Sequence, residues 1–178
     1  MRKTLERGIT YGGDGNGRIV MLAFVDSDHA TCLDTRRSTS GGAVRLGGGT
    51  IRWFSRAQAT TTEGASESEY VAMSEIVKEV LFLRQVQAFM MPAFESNPSN
   101  PVDIVEDNQG IIRMAIGRRS TKRMTHIDIK HHLIRDAMDE GKVRVTCFKT
   151  QDQHAGVLTK PLDRRMFEKD VDALSNVG

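Results

Sequence analysis

The sequence predicts an α/β fold in which a mixed five-stranded sheet, three antiparallel strands followed by parallel ones, carries helices on both faces. Three observations lead there. Two short apolar runs each stop at an aspartate, Asp26 and Asp107, the pattern of strands buried on both sides. A glycine triplet, Gly47-Gly48-Gly49, separates two β-compatible segments and marks a hairpin, because glycine takes positive φ at little cost. From Ser66 onward the apolar spacing changes to steps of three and four residues, and strands joined through helices run parallel to one another.

Residues 1–17 include Gly12-Gly13-Asp14-Gly15-Asn16-Gly17 and show no apolar period, so they are a leader, and the domain proper spans residues 18–178. Residues 18–25 are the central strand. The hairpin joins residues 43–46 to residues 51–55, and a third strand, polar in composition, follows at residues 59–63. Tyr70, Met73, Val77, Val80, Leu81, Arg84 and Ala88 lie on one face of a long helix that begins near Ser66 and ends before Pro92. A linker at residues 95–100 leads to a buried strand at 101–106 and a helix at 108–116. Residues 118–123 are a basic connector. A helix at 126–140, closed by Gly141, precedes a strand in which Val143, Val145 and Cys147 alternate. Residues 153–160 and 163–175, broken by Pro161, complete the chain as helices.

A chain of 178 residues with 39% hydrophobic content can bury roughly 70% of the surface it would expose unfolded, so it needs no disulfide or structural metal to hold a core. Cys32 and Cys147 are its two cysteines, and no apolar run follows Met1-Arg2-Lys3. This composition predicts a reducing, intracellular setting with neither signal peptide nor membrane span. A net charge of +2 and a pI near 8.6 are too mild to announce nucleic-acid binding, so that question rests on where the charges sit.

Parallel neighbours bring their carboxyl ends to one edge of a sheet, where ligands of open α/β folds bind. Asp26 and Asp107 therefore belong at that edge, and Glu69 lies in the first turns of the long helix. If the helix crosses near the first strand, three carboxylates converge there, with at least one pKa raised, and such acids repel unless a cation sits among them. Oxygen-only ligands suit magnesium or manganese. Two such ions about 4 Å apart activate a water and stabilise a leaving oxygen in phosphodiester hydrolysis. Each acid also has a structural reading. Asp26 and Asp28 would end a strand as turn formers, Asp107 would cap the next helix, and Glu69 would form a capping box with Ser66.

The wording around each acid separates these readings. Asp26-Ser27-Asp28 is followed by Arg37-Ser38-Thr39-Ser40-Gly41; Leu46-Gly47-Gly48-Gly49 precedes Trp53 and Gln58; then come Glu67-Ser68-Glu69-Tyr70-Val71-Ala72, Asp107-Asn108-Gln109, His126-Ile127-Asp128-Ile129-Lys130 and Leu158-Thr159-Lys160-Pro161-Leu162. In these phrases and their spacing the sequence resembles the ribonuclease H domain at the end of copia-type (LTR) retrotransposon Pol polyproteins. The resemblance implies a ribonuclease-H-like fold, with the RNA strand of an RNA–DNA hybrid as substrate. It implies that Asp26, Glu69 and Asp107 match three of the family's four metal-binding acids, which hold magnesium or manganese. It also makes residues 1–17 the tail of a segment following a reverse transcriptase, and the location the cytoplasm or virus-like particles.

The match has departures. The family's fourth acid belongs to a phrase resembling Gln-x-Ala-Asp-x-Leu-Thr-Lys, whereas this chain has Gln153-His154-Ala155-Gly156-Val157-Leu158-Thr159-Lys160. Gly156 has no side chain with which to ligate a metal. By the resemblance, its loss weakens activation of the attacking water more than substrate binding, and hydrolysis is expected to be impaired. Asp152 is displaced from the position by a helical turn or more. Thr61, Glu63 and His29 also depart from the family pattern. The alternatives are a non-catalytic nucleic-acid-binding or relic module, and an active nuclease with a different fourth ligand.

His126, His131 and His132 with Cys147 do not make a zinc motif, because a five-residue step does not place two ligands on one helix face. Arg118, Arg119, Lys122 and Arg123 follow the helix after Asp107. They are either a solvated connector or phosphate contacts along a hybrid backbone.

Overall fold

The structure, a computed structural model, describes residues 8–12, 19–32, 34–62, 64–90, 100–117, 128–148 and 152–176. Strands β1 (Met21–Asp28), β2 (Thr39–Leu46) and β3 (Gly49–Ala57) form an antiparallel meander. There follow α1 (Ala65–Met90), β4 (Val102–Glu106), α2 (Gln109–Ile116), α3 (Asp128–Asp139), β5 (Val143–Cys147) and α4 (Arg164–Ser175). The five strands lie in the order β3-β2-β1-β4-β5, with β4 parallel to β1 and β5 parallel to β4. β1 is thus central, as the sequence predicts.

Alternation along β1 sorts its side chains between two cores. Met21, Ala23 and Val25 face the larger one, where Tyr70, Met73, Ile76 and Val77 of α1 meet Ile111 of α2 and Ile134 of α3. Phe24 packs on the opposite face with Val105 and Ala155, flanked by Leu22 and by Leu174 of α4. Helices therefore cover both faces. Gly47 and Gly48 both have positive φ, 57° and 89°, the conformation of a two-residue turn whose twist matches the strands it joins.

Several boundaries differ from the sequence reading. β1 runs three residues beyond the expected stop at Val25, because β2 pairs with it as far as Asp28↔Thr39, whereas β4 pairs no further than Phe24↔Val105. Asp26 and Asp28 are accordingly strand residues, not turn formers. β2 begins at Thr39 and recruits Ser40, Gly41 and Gly42, weak strand formers that only their neighbours hold extended. The strand expected at 59–63 is absent from residues 59–62, which carry no strand pairing; Glu63 lies outside the described residues. The helix expected at 153–160 shrinks to a single 3-10 segment, Ala155–Leu158. Gln153 draws it down onto the sheet instead of continuing a helix. Of the leader, residues 8–12 form neither helix nor strand. Thr10 N donates to Ser175 O at 2.9 Å, and the Tyr11 hydroxyl donates to Thr50 O at 2.8 Å.

Gln153 solves a local problem. Past Phe24 and Val105 the two parallel strands stop pairing, and the carbonyls of Val25 and Val105 need donors. The buried Gln153 Nε2 donates to both, at 2.8 and 3.0 Å, while its Oε1 accepts from Ala155 N at 3.1 Å. We predict that Gln153→Leu, which leaves both carbonyls without this donor, lowers stability by about 2–4 kcal/mol. Urea unfolding measures it, and a change within experimental error would show that the amide is dispensable.

Candidate active site

The 3-10 segment seats its residues beside Asp26. On β2, Gly41 pairs with Asp26, and a Cβ there would stand 2.6 Å from Thr159 Cγ2 and 2.8 Å from Leu158 Cβ. Only glycine at 41 allows this close approach. The Thr159 hydroxyl donates to Asp26 Oδ2, and Lys160 Nζ lies 3.3 Å from the same oxygen. Both Thr159 N and Lys160 N donate to the carbonyl of Gly156, each at 3.2 Å, so the turn closes on the glycine. A Cβ on Gly156 would lie 4.0 Å from Asp26 Oδ2 and 3.6 Å from Lys160 Cε. Position 156 is thus directly beside Asp26, and it brings no carboxylate.

Glu69 approaches from α1. Its Oε2 accepts from Asn108 Nδ2 at 2.6 Å, a bond to another element instead of the capping contact to Ser66 that its spacing suggests. Asn108 also corrects the expected cap of α2. Its Oδ1, not the carboxylate of Asp107, accepts from Gly110 N at 2.7 Å and Ile111 N at 3.4 Å. One amide therefore both caps α2 and holds Glu69. Burial raises the pKa of Glu69, the Asn108 bond opposes that rise, and Asp107 and Asp26 add to it. Asp26 and Asp107 are thus both close enough to act on Glu69 electrostatically.

Two participants escaped the sequence reading. Glu106 ends the apolar run of β4, yet it is 2% exposed, and it shares the inward parity of Ile104. Its Oε1 accepts from Asp107 N and Asn108 N, each at 3.1 Å. Burial pushes its pKa up to about 8, the backbone bond from Asn108 opposes this, and Glu69, Asp107 and Asp26 add to it. An acid at the last inward position of a buried strand was the available signal. Lys160 was visible only as part of a motif; in the structure its charge reaches Asp28 and Glu69 as well as Asp26. Asp28 is itself raised, chiefly by burial. Arg118, Arg119, Lys122 and Arg123 lie outside the described residues, as does His126.

The carboxylate oxygens are the right donors for magnesium or manganese, but their disposition does not fit a two-ion centre. Among the described residues no three His, Cys, Asp or Glu side chains gather closely enough to hold a metal ion. Asp26 is engaged by Thr159 and Lys160, Glu69 by Asn108, and residue 156 offers nothing.

Comparison with known proteins agrees with the fold and the motifs. No family model matches the chain. It is 27% identical over 168 residues to the retrovirus-related Pol polyprotein from transposon TNT 1-94 of Nicotiana tabacum, covering 94% of this chain and 12% of that protein. It is 32% identical over 146 residues to the corresponding polyprotein from transposon RE2 of Arabidopsis thaliana, covering 82% of this chain and 10% of that one. The chain thus spans about a tenth of the length of the curated relatives it matches. Among solved structures, LC11-RNase H1, isolated from compost by a metagenomic approach, superposes with a TM-score of 0.57 at 15% identity, over 85% of this chain and 98% of that one. The same enzyme in complex with an RNA/DNA hybrid gives 0.55 at 15% identity, over 78% of this chain and 93% of that one. The homologues are copia-type retrotransposon Pol polyproteins, and the structural neighbours are ribonuclease H domains. The fold is ribonuclease-H-like. Among the described residues no helix is long and apolar enough to cross a membrane.

The buried acid has a measurable consequence. Because the folded pKa of Glu106, about 8, exceeds its ordinary value of 4.5, the folded state holds this proton after the unfolded chain has released it. Its contribution to stability is thus present below pH 4.5 and is lost as pH rises to about 8. Glu106→Gln is predicted to gain stability relative to wild type across that interval, by a few kcal/mol at most. Urea unfolding at pH 5, 6, 7 and 8.5 in EDTA tests this; parallel curves for the two proteins would mean that Glu106 titrates normally.

Proposed function

We propose that this domain is a copia-type ribonuclease H module that engages RNA–DNA hybrids at the carboxyl edge of β1 and β4, with its two-metal hydrolysis of the RNA strand impaired. The observation that carries the reading is the bare Gly156 beside Asp26, 4.0 Å from its Oδ2 to where a Cβ would stand. Asp26, Glu69 and Asp107 are the acids we assign to catalysis and to magnesium or manganese. A second ion would need the carboxylate that residue 156 lacks. Hybrid as the ligand is supported by the complex known for LC11-RNase H1. In a full-length polyprotein the partner preceding the domain is a reverse transcriptase region, with residues 1–17 as the tail of the join. The setting is then intracellular, in the cytoplasm or in virus-like particles. The engagement of Asp26 by Lys160 favours a second reading, a non-catalytic nucleic-acid-binding relic of the same fold.

Cleavage of a labelled RNA–DNA hybrid in magnesium and then manganese separates the two. Gly156→Asp is expected to raise cleavage by about 10²-fold, which corresponds to about 2.7 kcal/mol off the barrier, while hybrid affinity stays nearly unchanged. The backbone accepts the change, since the nearest atoms to a Cβ at 156 stand at the ordinary contact distances of 3.6 and 4.0 Å. If the folded variant binds hybrid and still does not cleave, the non-catalytic reading replaces the nuclease.

The basic connector is assigned to the hybrid backbone. Replacing Arg118, Arg119, Lys122 and Arg123 with alanine should weaken hybrid binding and flatten its salt dependence, by roughly 0.7 to 0.9 in log–log slope for each phosphate no longer neutralised. An unchanged slope would make the connector a solvated loop.

A further inference from the structure

The stem of Lys160 passes beside residue 156. Its Cε would stand 3.6 Å from a Cβ on residue 156, and its Nζ reaches to 3.3 Å from Asp26 Oδ2. A Cβ on 156 would therefore stand 4.0 Å from the same Asp26 Oδ2 that the ammonium meets. In this chain only the ammonium arrives. The turn that folds the lysine back is closed by Lys160 N and Thr159 N on the Gly156 carbonyl, while the Thr159 hydroxyl donates to the same Asp26 Oδ2 that the ammonium meets. Asp26 is largely buried, at 11% side-chain exposure against 44% for Lys160. The carboxylate is thus fixed, and the cation has a wet, flexible stem.

We propose that Lys160 is a resident cation of the carboxylate cluster, occupying the Asp26 side in place of a divalent ion and competing with one for it. A lysine ammonium is a compact point charge on a flexible stem, able to sit on the carboxylate and also to swing away. Its field extends over Asp28 and Glu69, so one ammonium relieves part of the repulsion among acids that a divalent ion would otherwise relieve. A metal that takes Asp26 Oδ2 competes with this ammonium and with the Thr159 hydroxyl for one oxygen. The inference rests on assigning these acids to metal, and it adds that this chain carries its own competitor.

The test is manganese binding in the absence of nucleic acid, by isothermal titration calorimetry at low ionic strength on the whole chain. Lys160→Met is expected to bind manganese roughly tenfold more tightly than wild type, a modest factor because a half-exposed ion pair is a weak competitor. Lys160→Arg, which keeps the charge, should stay within about threefold of wild type on the same reasoning. Manganese should also raise the melting temperature of the Met variant more than that of wild type, since a ligand stabilises in proportion to its binding. Circular dichroism checks folding, and Lys160→Gln replaces the Met variant if that one does not fold. Manganese binding by the neutral variant that is no tighter than wild type, or weaker, would overturn the proposal. Hybrid cleavage does not enter the measurement, so a failure of nuclease activity and a failure of cation competition are read separately.

Discussion

The parting of β1 from β4 beyond Phe24 and Val105 is the constraint on which the candidate site depends. Two neighbouring parallel strands that stop pairing inside a protein leave carbonyls that must be satisfied, since a buried polar group without a partner carries its full desolvation penalty. Gln153 answers both carbonyls with one amide, and in doing so it pins the chain that carries Gly156, Thr159 and Lys160. The neighbouring residue holds the other side of that chain: His154 Nδ1 is 2.9 Å from Asp170 Oδ1 on α4, and its ring packs 5.2 Å from that of Phe24. What reaches Asp26 is therefore decided by hydrogen bonds made on either side of the 3-10 segment.

The acids at this edge are tolerated by different means. Glu106 lies deepest and is pushed toward its neutral form by burial. Glu69 is half-buried and receives the Asn108 amide. Asp26 receives a hydroxyl and an ammonium. In each case the protein itself supplies relief of like-charge repulsion, the work that a divalent cation would do in a filled site. The same interactions engage carboxylate oxygens that a shared ion would need.

Position 156 brings no carboxylate to Asp26. The charged group that stands beside Asp26 is the ammonium of Lys160. The fold is indifferent to which group stands there. Gly41 still admits the 3-10 segment to β2, the two cores still close on either face of β1, and the architecture remains that of ribonuclease H domains. Fold and chemistry are thus separable in this chain, because the first depends on apolar alternation and backbone satisfaction and the second on a few carboxylates at one edge.

Local patterns were enough for most of the architecture. The long helix α1, the Gly47-Gly48 turn, the buried strands β1, β4 and β5 and the mixed, antiparallel-then-parallel sheet follow from periodicity and connection rules, which act between residues near in sequence. The phrases around Asp26, Glu69 and Asp107 carried the resemblance to the family. Strand extension through Asp28 and the recruitment of Ser40, Gly41 and Gly42 were not legible, since pairing with a distant strand overrode weak local preference. Nor were the cap at Asn108 in place of Asp107, the burial of Glu106 or the 3-10 segment in place of a helix. The sequence by itself determined the apolar cores of the strands, the long helix and the parallel-after-antiparallel plan of the sheet. Only the tertiary structure decided which of the acids is buried, which is paired and what cation stands beside Asp26, because burial and charge at a point are set by elements that meet there from more than a hundred residues apart, as Asp26 and Thr159 do.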